Sequence, residues 1–130
     1  MELAHHIVDA FRAFGAIQLK RMFSGYGLFR NGVMFGLLHD DVLYLKADFE
    51  NVADFMSLGL AQFTYVRNGK TVGLSYYQAP DLVMDDSAEA AKWAQRSFEA
   101  ALRGSASKAK AGRNRKPKSR DITRNPKSAR

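Results

Sequence analysis

Residues 26–38 read Tyr-Gly-Leu-Phe-Arg-Asn-Gly-Val-Met-Phe-Gly-Leu-Leu. Two apolar runs, Tyr26–Phe29 and Val33–Leu38, flank the pair Asn31-Gly32. An Asn-Gly pair tolerates the positive φ angles of a two-residue type I′ turn, which matches the twist of the strands on either side. This stretch therefore predicts a β-hairpin.

The same turn signal occurs again further along the chain. Asn68-Gly69 lies between the runs Phe63–Val66 and Thr71–Tyr77 and predicts a second hairpin. Val42–Ala47 follows a polar turn at His39-Asp40-Asp41 and predicts a strand in which Leu43, Leu45 and Ala47 face one way and Val42, Tyr44 and Lys46 the other. With the first hairpin it should form a three-stranded antiparallel meander.

Helical periodicity flanks and separates these strands. Apolar residues from Leu3 to Phe14 recur at helical spacing and predict an amphipathic first helix that ends near Gly15. Asp48 can cap a second helix. A last helix should begin with a cap at Asp86 or the following serine and end at Gly104.

The predicted order is α-β-β-β-α-β-β-α, which indicates an α+β domain of two layers. Five strands would form one antiparallel sheet with the helices against one face. The other face would carry residues such as Phe29 and Tyr44. An uncovered apolar face of this kind needs a partner.

Positive charge is concentrated at the C-terminal end. The last 27 residues hold ten Lys or Arg and one acidic residue, a net charge of +9. Residues 1–103 hold ten Lys or Arg and twelve acidic residues, a net charge of −2, and the two parts sum to the +7 of the whole chain. The ten cations are Lys108, Lys110, Arg113, Arg115, Lys116, Lys118, Arg120, Arg124, Lys127 and Arg130. The high isoelectric point therefore describes the tail and not the folded part.

The tail has one large apolar residue, Ile122, and cannot bury enough surface to offset the entropy of ordering. We expect a folded domain over 1–103 and a disordered polybasic tail over 104–130. The ten cations would contact nucleic-acid phosphates without reading bases. The alternative is that the tail is a solubilising extension.

Composition excludes several classes of site. The chain has no cysteine, so thiolate metal sites, disulfides and thiol nucleophiles are absent. The N-terminus has no secretory signal pattern, and no apolar run approaches the roughly 20 residues that cross a bilayer. We expect a cytoplasmic protein with no membrane contact, no metal, no cofactor and no small-molecule substrate.

Three sequence features offer weak signals of chemistry. His5-His6 are adjacent on a helix and point about 100° apart, which hinders joint chelation of a metal. His39-Asp40-Asp41 could be a base beside carboxylates, but a polar hairpin turn needs such residues anyway. Ser24-Gly25-Tyr26-Gly27 is too short for a phosphate loop and better fits a bend or bulge entering a strand. None of these predicts an enzyme.

Three blocks of the sequence carry a family resemblance. Arg21-Met22-Phe23-Ser24-Gly25-Tyr26-Gly27-Leu28-Phe29 resembles the signature strand of the TfoX (Sxy) N-terminal domain family. Leu43–Asp48 and Ser75–Pro80 resemble the second and third blocks of that family, in the same order and spacing. The resemblance covers roughly Ala10 to Leu102. Ser24 departs from it by replacing the first glycine of a usual Gly-Gly pair.

The resemblance implies a fold of the secretion-chaperone-like kind and a regulatory role in a bacterial cytoplasm. In the competence regulators of the family that role is coactivation of transcription, but those proteins carry a second domain where this chain has its basic tail. The family blocks mark five surface candidates: Arg21, Tyr26, Lys46, Tyr76 and Tyr77. Without the resemblance each would be an ordinary strand residue.

Two functions remain open from the sequence. The first is a non-enzymatic, competence-regulator-like protein that contacts nucleic acid non-specifically through its tail and binds a protein partner in the transcription machinery. The second is a protein–protein interaction or homodimerisation module with no role in nucleic-acid binding, which would use an uncovered sheet face or an edge strand.

Overall fold

The computed structural model describes residues 2–22 and 25–114. In chain order the elements are α1 (Glu2–Ala10), β1 (Gln18–Met22), β2 (Gly25–Arg30), β3 (Val33–His39), β4 (Val42–Lys46), α2 (Val52–Ser57), β5 (Gln62–Arg67), β6 (Lys70–Gln78), α3 (Leu82–Asp85) and α4 (Ser87–Asn114). The predicted α+β class is confirmed.

The six strands form one antiparallel sheet in the order β1-β2-β3-β4-β6-β5. All four helices contribute buried side chains to a single core on one face of this sheet. α4 is the longest helix and packs across β3 and β4. The predicted two-layer arrangement of one sheet and one helical layer is therefore confirmed.

The sheet has one strand more than the sequence predicted. β1 pairs with β2 in a register that sets Leu19 opposite Leu28 and Lys20 opposite Gly27. The residues of β1 are mostly polar, as is common in edge strands, where charged side chains discourage pairing with other chains. Because of this polarity, Gln18–Met22 was not predicted as a separate strand, and only Arg21 and Met22 fell within the signature strand of the family resemblance.

The helices also differ from the prediction in three places. α1 ends at Ala10, and the chain continues in turns to Gly15, whose φ is 133°. A four-residue helix, α3, precedes α4. α4 does not end at Gly104 but continues to Asn114, because Gly104 keeps a negative φ there and Ala, Ser and Lys follow it. The domain boundary at 103–104 stays a prediction.

Both Asn-Gly turns are confirmed. Asn31 and Gly32 have φ of 51° and 78°, and Asn68 and Gly69 have φ of 53° and 77°. These are the positive values that a type I′ turn requires at both central positions. The turns set the register next to them, and irregularities at Leu28/Phe29 and between Gln62 and Thr64 shift the pairing further along each hairpin.

Aromatic rings fill the middle of the core. Phe35 of β3 packs against Phe11, Phe14 and Phe98, with centroid separations from 5.2 to 6.4 Å. Arg30 closes this cluster at one end, since its guanidinium lies 4.4 Å from the centroid of the Phe14 ring and donates a 3.2 Å hydrogen bond to the Phe14 carbonyl. The charged group of Arg30 is therefore used in contacts within the domain.

Candidate functional site: the sheet face opposite the helices

The face of the sheet opposite the helices carries a set of side chains that strand register brings together. Leu28, Leu38 and Leu45 are buried under the helices, and side chains alternate along a strand. Their neighbours Phe29, Leu37 and Tyr44 therefore point away from the helices. We call this surface the open face; its members include Lys20, Phe29, Leu37, His39, Tyr44, Lys46, Phe63, Tyr65, Arg67, Leu74 and Tyr76.

Acidic and basic residues are separated between the sheet and the rest of the domain. No Asp or Glu lies in any of the six described strands, and all twelve acids of residues 1–103 lie in helices or connections. The strand cations are Lys20, Arg21, Arg30, Lys46, Arg67 and Lys70. The sheet is therefore cationic although the domain has a net charge of −2.

An apolar groove of about 530 Å³ lies on the β5 side of the open face. The groove is lined by Leu37, His39, Phe63, Tyr65, Arg67 and Leu74. The Phe63 ring lies at 5.0 Å from Tyr44 in an edge-on contact and nearly parallel to Tyr65 at 6.5 Å, measured between centroids. The result is a row of rings contributed by β4 and β5, and Arg67 lines the same groove.

Lys46 and Tyr76 form a second feature of the open face. They pair directly across β4 and β6, and the Lys46 ammonium lies 5.2 Å from the centroid of the Tyr76 ring and 2.6 Å from the Ser75 hydroxyl oxygen. Burial raises the pKa of Tyr76 to about 12, so its hydroxyl stays protonated at neutral pH. A cleft of about 400 Å³ lies beside the pair, and it is lined both by Phe29 and Met34 and by residues of α4, Ala101 and Gly104 among them.

The five residues marked by the family blocks do not form one cluster. Lys46 and Tyr76 are on the open face. Arg21 and Tyr26 pair across β1 and β2 on the helical side, with 5.9 Å between the guanidinium and the ring centroid. Tyr77 also faces the helices and packs 5.6 Å from Phe55. The structure thus separates these candidates into two cation–ring pairs and one core residue.

A salt-bridge cluster of Arg103 with Asp48 and Glu50, which we call the clasp, holds α4 where it leaves the sheet. Arg103 donates to both oxygens of Asp48, at 2.6 Å and 2.9 Å, and lies 3.4 Å from Glu50. The hydrogen bond from Arg103 holds the pKa of Asp48 below its ordinary value. Asn51 supports this corner because its amide donates to the Lys46 carbonyl and its carbonyl oxygen accepts from the Asp48 amide.

The predicted tail cations fall into two groups. Lys108, Lys110 and Arg113 lie on the last turns of α4. The other seven lie outside the described residues: Arg115, Lys116, Lys118, Arg120, Arg124, Lys127 and Arg130. At 1.5 Å per residue, the eleven helical residues after Arg103 extend α4 by about 16 Å beyond the Asp48 clasp.

The weak chemical signals of the sequence gain no support. His39 lies beside Asp40 in the β3–β4 turn, and its ring packs at 5.2 Å on Phe63. Ser24 lies outside the described residues, and Gly25 begins β2. In the part of the chain that the structure describes, no group of three or more acidic or His side chains could hold a metal ion. No described helix combines the length and apolar character that a membrane span needs.

Sequence reasoning missed Lys20, Phe63, Tyr65 and Arg67 as members of a shared surface. The alternation within β5 was visible, but the position of β5 next to β6 and β4 was not. Lys20 could not be placed because β1 was not predicted as a strand.

Comparison with known proteins agrees with the resemblance of the three blocks. The TfoX N-terminal domain family matches residues 9–101, which is most of the chain. The chain belongs to the TfoX N-terminal domain family. A relative named DNA transformation protein TfoX1, from Aliivibrio fischeri (strain ATCC 700601 / ES114), is 32% identical over 68 residues. That alignment spans 52% of this chain and 32% of the length of the relative.

Proposed function

We propose that this chain is a non-enzymatic regulatory protein of the competence-regulator type, acting in a bacterial cytoplasm together with a protein of the transcription machinery. Its C-terminal cations hold nucleic acid non-specifically and keep the folded domain near DNA. The family match and the name of the relative, a DNA transformation protein, support the regulatory part of this proposal.

The concentration of charge supports the nucleic-acid part. Ten cations within 27 residues form a local field that contacts phosphates. The first of them lie on α4 beyond the Arg103–Asp48 clasp, so the tail leaves the domain from a fixed point. Such a tether raises the local concentration of the domain near DNA without selecting a sequence.

Fluorescence anisotropy tests the tether. We would titrate a labelled duplex and a scrambled duplex with the full chain and with a full-length variant in which all ten tail cations are Gln. We expect equal affinity for both duplexes, a steep salt dependence with a slope of about 0.9 per phosphate contact, and loss of most binding in the Gln variant. A matched variant that exchanges Lys for Arg and Arg for Lys keeps the charge and should bind normally. Unchanged binding by the Gln variant would refute the tether.

The exposed edge of the sheet favours a second function, a module that pairs with itself or with a partner protein. β5 is an outer strand, and all its residues except Phe63 are exposed, with Val66 at 71%. An edge of this kind can accept another strand. Light scattering over a range of concentrations should show a dimer that Val66→Lys disrupts. A constant monomer mass would refute dimerisation.

A further inference from the structure

The open face combines three properties that occur together only because the fold brings the six strands side by side. It is cationic, it carries aromatic rings, and its groove is apolar. An exposed ring such as Tyr65 can stack on an unpaired base, whereas the bases of a duplex are already stacked on each other. The tail proposed above contacts phosphates only, so the open face would be a second and different site.

We propose that the open face binds a single DNA strand, with a base stacking on Tyr65 at the groove and phosphates contacting Lys20 and Arg67. The proposal goes beyond the tail tether and does not depend on it, because none of these residues belongs to the tail.

Charge complementarity selects a polyanion as the occupant. Lys20, Lys46, Arg67 and Lys70 lie on strands that contain no acid, and the open face spans six strands, or roughly 24 Å at the usual strand spacing. Asp40 and Asp41 occupy the turn at one end, where Asp40 is 3.4 Å from His39. A second copy of the chain would oppose one cationic face to another, which disfavours a face-to-face dimer.

The aromatic rings of the open face favour a polyanion that carries flat groups able to stack on them. Tyr65 is 36% exposed at the edge of the sheet, and its ring is nearly parallel to Phe63, with 27° between the planes. A base laid on Tyr65 would extend this stack, and Arg67 lines the same groove. An acidic peptide would use the cations but would leave the exposed ring without a stacking partner.

DNA is chosen over RNA because the strands of the open face lack carboxylates. A carboxylate would be a strong acceptor for the ribose 2′-hydroxyl that distinguishes RNA. Contacts to phosphates and ring faces alone do not need that hydroxyl. The site should therefore accept an oligothymidylate of about 12 nucleotides, which is within the usual footprint of single-strand binding domains.

The experiment uses full-length chains in a two-by-two design, in which the tail is native or has its ten cations changed to Gln and the open face is native or altered. The probe is a labelled oligothymidylate, with a labelled duplex and an oligouridylate in parallel. Tyr65→Val removes the ring and keeps a strand-forming residue, and Tyr65→Phe restores the ring. Lys20→Gln with Arg67→Gln removes two cations, and Arg12→Gln with Lys92→Gln is the matched control on the helical side.

We expect Tyr65→Val to weaken binding of the oligothymidylate about tenfold in either tail background and Tyr65→Phe to restore it. Lys20→Gln with Arg67→Gln should lower the slope of log affinity against log salt by about 1.4, since each contact to a single strand contributes about 0.7. Neither change should alter duplex binding by the native tail. Circular dichroism verifies that each variant is folded.

Several results would overturn the proposal. One is an affinity for oligothymidylate that stays within about twofold in both open-face variants while their fold is intact. Another is equal competition by polyglutamate of the same charge, which would identify an acidic segment as the occupant. A preference of tenfold or more for oligouridylate would exclude DNA as the favoured strand. Loss of duplex binding in the tail variant alone concerns the tether, so the two proposals fail separately.

Discussion

Strain is concentrated at one residue pair, the turn between β3 and β4. Asp40 and Asp41 have φ of 50° and 62°, the left-handed region that asparagine and glycine adopt more easily in the other two hairpin turns. His39 and Val42 pair across this turn, so the strands hold the two aspartates in their conformation. The pair is thus a local cost within the meander.

Asp41→Gly should relieve part of this strain. Glycine at the second central position of a type I′ turn removes the Cβ penalty, and we expect the free energy of unfolding to rise by about 0.5 to 1 kcal/mol. Urea denaturation measures the change. Gly32→Ala, at φ 78°, is the matched control and should destabilise the protein. A destabilised Asp41→Gly variant would mean that the carboxylate itself supports the turn.

At the scale of single residues, the sequence showed which side chains belong to strands β2 to β6 but not which of them meet. Lys46 and Tyr76 were marked by a family resemblance, and their contact depends on β4 pairing with β6 across 30 residues. Tyr65 and Arg67 carried no motif at all. Their grouping with Leu37 follows from strand order, which is a property of the whole sheet and not of local patterns.

At the scale of elements, α4 depends on a clasp at its passage beyond the sheet. The two-pronged contact between Arg103 and Asp48 joins the helix to the start of the α2 region, and the Asp48 side chain is 18% exposed. Such paired, partly buried hydrogen bonds are stronger than ordinary surface ion pairs. The clasp therefore fixes the direction in which the last turns of α4 leave the domain.

Asp48→Asn should reveal the clasp through its pH dependence. The pKa of Asp48 is lower in the folded chain than its ordinary value near 3.8, so the clasp stabilises the fold above that pH and is lost as the pH falls through the lowered pKa. At neutral pH we expect Asp48→Asn to cost about 1 kcal/mol, with the difference from the native chain vanishing in acid. Glu50→Gln should change the free energy of unfolding little, because the Glu50 carboxylate lies 3.4 Å from the Arg103 Nε and makes the longer of the two ion pairs. If the free energy of unfolding of the native chain and of Asp48→Asn changed with pH in parallel, the role of the Asp48 carboxylate in the clasp would be contradicted.

Gly104 is a weak point inside α4 and not its end. A Cβ added there meets no atom within 4 Å, and the backbone already has a helical sign of φ. Gly104→Ala should raise helical content and stabilise this part of α4 by up to about 1 kcal/mol. Circular dichroism and amide exchange measure both effects. Gly69→Ala, at φ 77°, should be destabilising instead, and a loss of helicity in Gly104→Ala would show that α4 is interrupted at this residue.

The elements that the sequence predicted well are those with local signals. Both Asn-Gly turns are read from two residues, and the Asp86 cap of α4 is confirmed because its carboxylate accepts from the amides of Ala88 and Glu89. β1 was missed because its polar residues lack the alternation of a half-buried strand. The sequence misplaces the end of α4 because a glycine ends a helix where it adopts a positive φ, and the φ of Gly104, which is negative, is not visible in the sequence.

At the scale of the whole molecule, the arrangement of charge matters more than its sum. Changing the ten tail cations to Gln takes the chain from +7 to −3, yet the cationic strands remain on one side. We expect this full-length variant to be retained on a sulfonate resin at neutral pH. Adding Lys20→Gln and Arg67→Gln should lower the salt needed for elution more than adding Arg12→Gln and Lys92→Gln. Equal elution of the two would contradict a localised cationic face.

The strand order also has a consequence for how the chain folds. β1 to β4 are joined by short connections, and β5 and β6 form their own hairpin. The pairing of β4 with β6, which we call the β4–β6 seam, is therefore the step in folding that closes a long loop. We expect two locally formed units whose docking limits the folding rate. In stopped-flow refolding, Leu45→Ala at the seam should slow folding more, per unit of lost stability, than Val66→Ala at the outer edge. An equal effect of the two would indicate that the seam forms after the rate-limiting step.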